Sequence, residues 1–269
     1  MSHEAPVVVE RRGDALHVTL NRPAERNSLS QEVVAGVEEA VEFATGERGT
    51  IRAVVLRGAG GMFCAGGDLK EFKSAFQESS TPDRTEIARV NRAGGMLFAQ
   101  LSAVPCPVIA AVEGAAIGGG FGIAAVADIT IATRGALFSM SETSLGLLPA
   151  QIAPFVAERI GLHQTRRLTL TAARFDADEA HRIGLVDQVV ESGDELTTAV
   201  EVTIAQVLRC APLANATAKE LIARIPTMPR EELLDAAADD FASAMMGTEA
   251  RAGLRAFADR TSPPWRAGE

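Results

Sequence analysis

Phe63-Cys64-Ala65-Gly66-Gly67-Asp68-Leu69-Lys70 closes a glycine-rich run behind residues 52–57 (RAVVLR), a short apolar segment of the kind that forms a buried strand. A second stretch of the same character, Gly114-Ala115-Ala116-Ile117-Gly118-Gly119-Gly120-Phe121-Gly122, follows another apolar run at 107–112 (PVIAAV) and leads into an alanine-rich segment. Glycine at a strand end lets the chain turn sharply and lets a ligand approach main-chain N–H groups without a Cβ in the way. The first N–H groups of a helix are unpaired, and the helix dipole favours negative charge there. Two such loops brought together would form an oxyanion hole, which holds charge developing on a carbonyl oxygen. The plainer alternative is a pair of tight turns that serve α/β packing alone.

Outward from these loops, strands alternate with helices. Residues 7–10 and 15–20 predict a hairpin turned at Arg11-Arg12-Gly13-Asp14, and Asn21-Arg22-Pro23 ends it. Ser28 with Gln31 predicts a capping box. Val33, Val34, Val37, Ala40, Val41 and Ala44 then recur at helical spacing up to Gly46. A helix is expected over 84–103 and another strand over 128–132. Alternation with glycine at the strand ends predicts an α/β fold with stacked parallel strands. From about residue 193 strand-like runs stop, and helices are expected over 194–209, 212–224, 230–246 and 248–259. Asp235, Asp239 and Asp240 share the third of these with Leu233, Leu234, Phe241 and Met245, an amphipathic pattern. The expected organisation is a core over 1–192 and a helical region over 193–269, whose apolar stripes cover the core or bind a neighbouring subunit.

A chain of 269 residues, 47% hydrophobic and 23% charged, is globular with a substantial core. With 11 Phe, one Trp and no Tyr, that core must be mainly aliphatic. The formal charge of −9 argues against a nucleic-acid surface, which needs a concentrated basic field. Cys64, Cys106 and Cys210 are odd in number and widely separated, giving neither a disulfide framework nor metal-ligand spacing. No signal segment and no bilayer-length apolar run is present, so no membrane partner and a reducing cytoplasm are expected.

Glu142 stands out among Phe138-Ser139-Met140-Ser141 and, downstream, Leu145-Gly146-Leu147-Leu148-Pro149. A carboxylate buried among apolar neighbours has a raised pKa and suits proton transfer. A helix-start glutamate facing solvent fits the same position equally well. Gly120-Phe121-Gly122-Ile123-Ala124-Ala125 fits a G-x-G-x-x-A dinucleotide fingerprint, although residues 113–117 separate it from the strand it should follow directly. Cys64 could be a nucleophile only with a nearby base, and His3, His17, His163 and His181 sit in terminal, strand or helical contexts; a buried structural thiol is expected.

At these residues the chain resembles the crotonase superfamily of enoyl-CoA hydratases and isomerases, over nearly its whole length. Asn21-Arg22-Pro23 with Arg26-Asn27-Ser28-Leu29 resembles the family's CoA-contacting N-terminal motif, and residues 63–70 its first signature. Ala110-Ala111-Val112-Glu113-Gly114 to Gly120 resembles the second, and Gly253-Leu254-Arg255-Ala256-Phe257 to Pro264-Trp265 the C-terminal pattern. The resemblance implies a spiral of ββα units followed by helices that build trimers, commonly paired into hexamers. It implies no cofactor beyond the coenzyme A carried by an acyl-CoA thioester substrate. The N–H groups of Gly67 and Gly119 would form the oxyanion hole, and Glu142 would be the catalytic carboxylate. Arg26, Ala65, Gly67, Asp68, Leu69, Lys70, Gly119 and Phe257 would contact substrate and CoA, with Arg260 a further tail position.

Hydratases of this family typically carry a second glutamate, which would fall at Gly122, and glycine transfers no proton. Glu113 is a candidate substitute, with a structural role beside the loop as its alternative. Three activities fit a single glutamate: hydration, a Δ3–Δ2 double-bond shift, and acyl-CoA binding without chemistry. The 146–155 stretch, and 138–175 more widely, resembles methylglutaconyl-CoA and isohexenylglutaconyl-CoA hydratases, in which a substrate carboxylate helps organise the site. Hydration is therefore the expectation.

Overall fold

A computed structural model describes residues 5–68 and 83–266. Its main sheet opens with an antiparallel hairpin of β1 (Val7–Arg12) and β2 (Ala15–Leu20), with Val7 opposite Leu20. β1 runs two residues beyond its expected end, because Gly13 at φ +59 lets Gly13-Asp14 close the turn by themselves. From β2 onward every neighbour is parallel. β3 (Ala53–Gly58), β4 (Val108–Val112), β6 (Ile129–Thr133) and β9 (Gln188–Val190) complete the order β1-β2-β3-β4-β6-β9. A second sheet of three-residue strands, β5 (Ala115–Ile117), β7 (Leu137–Ser139) and β8 (Arg174–Asp176), stands beside it in the order β5-β7-β8. Sequence reading misses this sheet, since three residues are too few to display a period.

Among the described residues the helices are α1 (Gln31–Gly46), α2 (Arg84–Ala103), α3 (Gly119–Val126), α4 (Ala153–Thr171), α5 (Ala177–Arg182), α6 (Gly193–Leu208), α7 (Pro212–Arg224), α8 (Arg230–Met246) and α9 (Thr248–Asp259). The expected stacked parallel α/β architecture is present. α1 is capped by Ser30, whose side chain accepts from the Val33 N–H, and not by Ser28 as the capping-box pattern predicts. Ser28 is engaged elsewhere, with its hydroxyl 3.2 Å from Asp68.

The pleat divides the core between two faces. Leu16, Val18, Leu20, Val54, Leu56, Val108, Ala110 and Val112 face α1, α2 and α3. Their alternates Ala15, Ala53, Val55, Ile109, Ala111 and Ile131 face Leu196, Ala199, Val200, Ile204 and Val207 of α6. Strands buried on both faces explain why β3 and β4 read as continuous apolar runs. The first helix after residue 193 thus covers the sheet, whereas α8 buries no residue at all. Arg52, a buried cation, ties the tail to this body by donating to the carbonyls of Leu208, Cys210 and Trp265. No described helix is long and apolar enough to cross a membrane.

Candidate active site

The loop after β3 is held by the N-terminal turn. The Leu29 N–H donates to the Gly66 carbonyl at 2.8 Å, and the Leu29 carbonyl accepts from the Asp68 N–H at 3.3 Å. In a parallel bridge of this kind the residue between the bonded pair turns its own amide away from the partner strand. The Gly67 N–H accordingly finds no acceptor among the described residues, and Gly67 is exposed while Gly66 and Asp68 are buried.

The second loop arrives through β5, where the Cys64 N–H donates to Ala115 and the Ile117 N–H to Cys64. Gly118 follows at φ +52, ψ −116, a conformation closed to residues with a side chain, and its N–H donates to the Ser139 carbonyl at 2.9 Å. That turn starts α3 at Gly119, whose N–H has no partner within the helix and none elsewhere among the described residues. A Cβ placed on Gly119 would lie 3.8 Å from the Gly67 nitrogen, and one on Gly66 would lie 3.6 Å from the Gly119 nitrogen. Two free amides therefore sit side by side at the positive end of a helix.

Glu142 opens the 3₁₀ turn Glu142–Leu145 just after β7. Phe121 of α3 meets Phe138 of β7 edge-on, and Phe138 stacks on Phe175 of β8 with centroids 5.9 Å apart. These rings make the helix carrying Gly119 and the strand leading to Glu142 one packed unit. The Glu142 Oε1 lies 3.1 Å from where a Cβ on Gly118 would sit. The residue is half-buried, and its Oε2 is buried without a hydrogen-bond partner. Burial pushes its pKa above the ordinary carboxylate value, opposed in part by a hydrogen bond with its own backbone. A carboxylate with one buried, unpartnered oxygen and no ion pair among the described residues is equipped to take a proton and return it.

Gly122 lies one turn farther along α3. A Cβ there would fall 2.4 Å from Ile152 Cγ2 and 2.8 Å from Phe98 Cε1, so apolar side chains already occupy the space of a second carboxylate. Glu113 does not replace it. Its Oε1 lies 3.1 Å from the Cβ position of Gly193 and 3.9 Å from that of Gly61, whereas the Glu142 carboxylate lies against Gly118. The dinucleotide fingerprint is overturned: Gly120 and Gly122 are inside a buried helix, and a Cβ on Gly120 would meet the Cys64 carbonyl at 2.4 Å. No glycine face is left open there for a pyrophosphate. Burial drives the Cys64 thiol up to about 12, which removes it as a nucleophile at neutral pH.

Of the other expected contacts, Arg26 is exposed at φ +53 and its carbonyl accepts from the Ala65 N–H at 3.0 Å. The Asp68 carboxylate is turned inward to Ser28 and Arg22. Phe257 is 86% exposed on α9, which packs on α8. Leu69 and Lys70 lie outside the described residues. Sequence reading missed the roles of Phe98 and Ile152, for which no local signal exists. It also missed the role of Asn27, fully buried at φ +53, whose side chain accepts from the Arg22 N–H and donates to the carbonyls of Ala59 and Met62.

The family model for enoyl-CoA hydratase/isomerase matches residues 10–268. The enoyl-CoA hydratase EchA19 of Mycobacterium tuberculosis is 34% identical over 263 residues, covering 95% of this chain and 94% of that protein. Among solved structures, Pseudomonas aeruginosa AtuE matches with a TM-score of 0.92 at 45% identity, covering 97% of this chain and 99% of that one. An enoyl-CoA hydratase/isomerase from Marinobacter aquaeolei matches with a TM-score of 0.92 at 43% identity, covering 97% and 98%.

Proposed function

The chain belongs to the enoyl-CoA hydratase/isomerase family, with the crotonase fold of its solved relatives, and from that premise we propose that it adds water across an α,β-unsaturated acyl-CoA thioester. The observation that carries the reading is the juxtaposition of two unpaired amides with a half-buried carboxylate whose second oxygen has no partner. The thioester oxygen is bound by the N–H groups of Gly67 and Gly119. Ionised Glu142 takes a proton from water as its oxygen bonds to Cβ, and the π electrons move onto the thioester oxygen. The protonated Glu142 then gives that proton to Cα on the same face as the enolate collapses. One oxyanion donor is typically worth about 2.7–4 kcal/mol in the transition state, so the two loops contribute at least as much as the proton shuttle. Coenzyme A arrives as part of the substrate, with Arg26 and Ala65 among its contacts and the exposed Phe257 reaching it from the tail of the same or a neighbouring subunit, and the reaction needs no separate cofactor.

The resemblance of 146–155 to glutaconyl-type hydratases supports a substrate whose own carboxylate orders the site in place of a second glutamate. One observation favours a second reading, a Δ3–Δ2 isomerase. The apolar plug at Gly122 leaves a single carboxylate, which suffices to move a proton between two carbons. Incubation with 2-enoyl- and 3-enoyl-CoA esters in heavy-oxygen water separates the readings. Hydration places solvent oxygen in a 3-hydroxyacyl-CoA. A shifted double bond without solvent oxygen assigns the isomerase, and tight binding without turnover of either ester refutes both. A homotrimer, or a hexamer of paired trimers, is proposed from the bare apolar faces of α8 and α9, and a reducing cytoplasm from three free cysteines.

A further inference from the structure

We infer that Asp68 is a positioning residue, whose buried carboxylate sets the direction of the Gly67 amide by gripping the N-terminal turn. The inference rests on the oxyanion hole of the proposed function. Gly66 and Gly67 have no side chains, so the peptide between them is aimed only through its neighbours. On its N-terminal side the anchors are short: the Ala65 N–H donates to Arg26 at 3.0 Å and the Leu29 N–H to Gly66 at 2.8 Å. On its C-terminal side the backbone contact among the described residues is longer, the Asp68 N–H to Leu29 at 3.3 Å.

The Asp68 side chain reinforces that weaker side. It is 6% exposed, and its Oδ2 accepts from the Ser28 hydroxyl at 3.2 Å and from the Arg22 guanidinium at 3.3 Å. A carboxylate is kept in the interior only where charge and hydrogen bonds compensate its lost hydration. These two partners, among the described residues, belong to the same turn as Leu29. Asn27 locks that turn through its three side-chain hydrogen bonds, and the consecutive positive φ angles of Arg26 and Asn27 persist only in a turn so over-determined. Both ends of the donor residue are thus fixed to one block, residues 22–29. The carboxylate faces that block, so it acts on the thioester through Gly67 and does not itself touch coenzyme A.

An oxyanion donor works only within hydrogen-bond reach of the developing charge, so a small rotation of its peptide removes catalysis while binding contacts elsewhere survive. Asp68→Asn and Ser28→Ala, each in the full chain, test this, with dimethylaminocinnamoyl-CoA as a chromophore whose absorption moves to longer wavelength when its carbonyl is polarised. The expected result for Asp68→Asn is a kcat lower by roughly 10- to 100-fold, the scale of a misplaced catalytic group. KM stays within about threefold, the mark of an interaction expressed in the transition state. The acid limb set by Glu142 stays in place, and the bound chromophore loses part of its shift. Ser28→Ala gives the same pattern more weakly, and it carries the test if Asp68→Asn does not fold. Wild-type kcat and shift in the folded variants overturn the inference, as does weakened ester affinity with kcat intact, which would make Asp68 a direct coenzyme A contact. If the wild-type protein shifts the chromophore and the variants do too, this inference alone fails. If the wild type gives no shift, the oxyanion hole itself fails and takes the inference with it.

Discussion

At Glu142, what would serve proton transfer works against folding. Its raised pKa means that the native state disfavours the ionised carboxylate relative to the unfolded chain, so stability falls as pH rises from the ordinary carboxylate value to the native one, and that cost persists at neutral pH. Glu142→Gln should therefore lower kcat by about 10²–10⁴-fold, the usual share of a general acid–base group, while the CoA ester still binds. The same variant should melt at a higher temperature than wild type at pH 7, with the difference fading below the ordinary carboxylate pKa. Calorimetry across pH checks the second half, and turnover at wild-type rate removes Glu142 from the mechanism. In the active protein the acid limb of kcat/KM should lie above the ordinary glutamate value, because the base must be ionised to accept a proton from water. Position alone left Glu142 balanced between a buried base and a solvent-facing helix start, and the family resemblance favoured the base. Its surroundings fit the buried base, with Oε1 against the Gly118 backbone and Oε2 buried without a partner, contacts that no local window displays.

α3 is the element on which the site is built, and its composition states how. Gly120 through Val126 are all buried, so the helix is apolar all round, and its glycines let neighbours press against its backbone. Gly122→Ala should be destabilised by about 1–3 kcal/mol, the usual range for overpacking, because its methyl would meet Ile152 and Phe98. Denaturant unfolding measures this directly, and an unchanged midpoint would show that the apolar plug at Gly122 yields easily. Elements of this length were legible. The helices expected at 84–103, 212–224, 230–246 and 248–259 are present with those bounds. The three-residue strands β5, β7 and β8 were not, although β5 delivers the second loop and β7 delivers Glu142. Strands that short are selected by their neighbours in space, here the aromatic contacts of Phe121, Phe138 and Phe175.

For the whole molecule, the apolar faces of α8 and α9 remain bare. Phe241 is 68% exposed, Met246 79%, and Leu254 and Phe257 continue the patch on α9. Exposed apolar side chains on two helices that pack together would suit an interface between subunits. Sedimentation should show a trimer or a pair of trimers, and Phe241→Glu should move the population toward smaller species; a monomeric wild type would refute the assembly. The sequence by itself determined the alternation of strands and helices, the helical character of the chain beyond residue 193, two glycine loops at strand ends, and Glu142 and Glu113 as candidate carboxylates. All of these are properties of a local window, set by side-chain period and backbone freedom. Only the tertiary structure decided that Gly67 and Gly119 lie side by side, that Ser28 answers Asp68 instead of capping α1, and that Phe98 and Ile152 close the place of a second glutamate. Those outcomes are contacts between residues far apart in the chain, fixed by the packing of the sheet and its helices, and no stretch of sequence contains both partners.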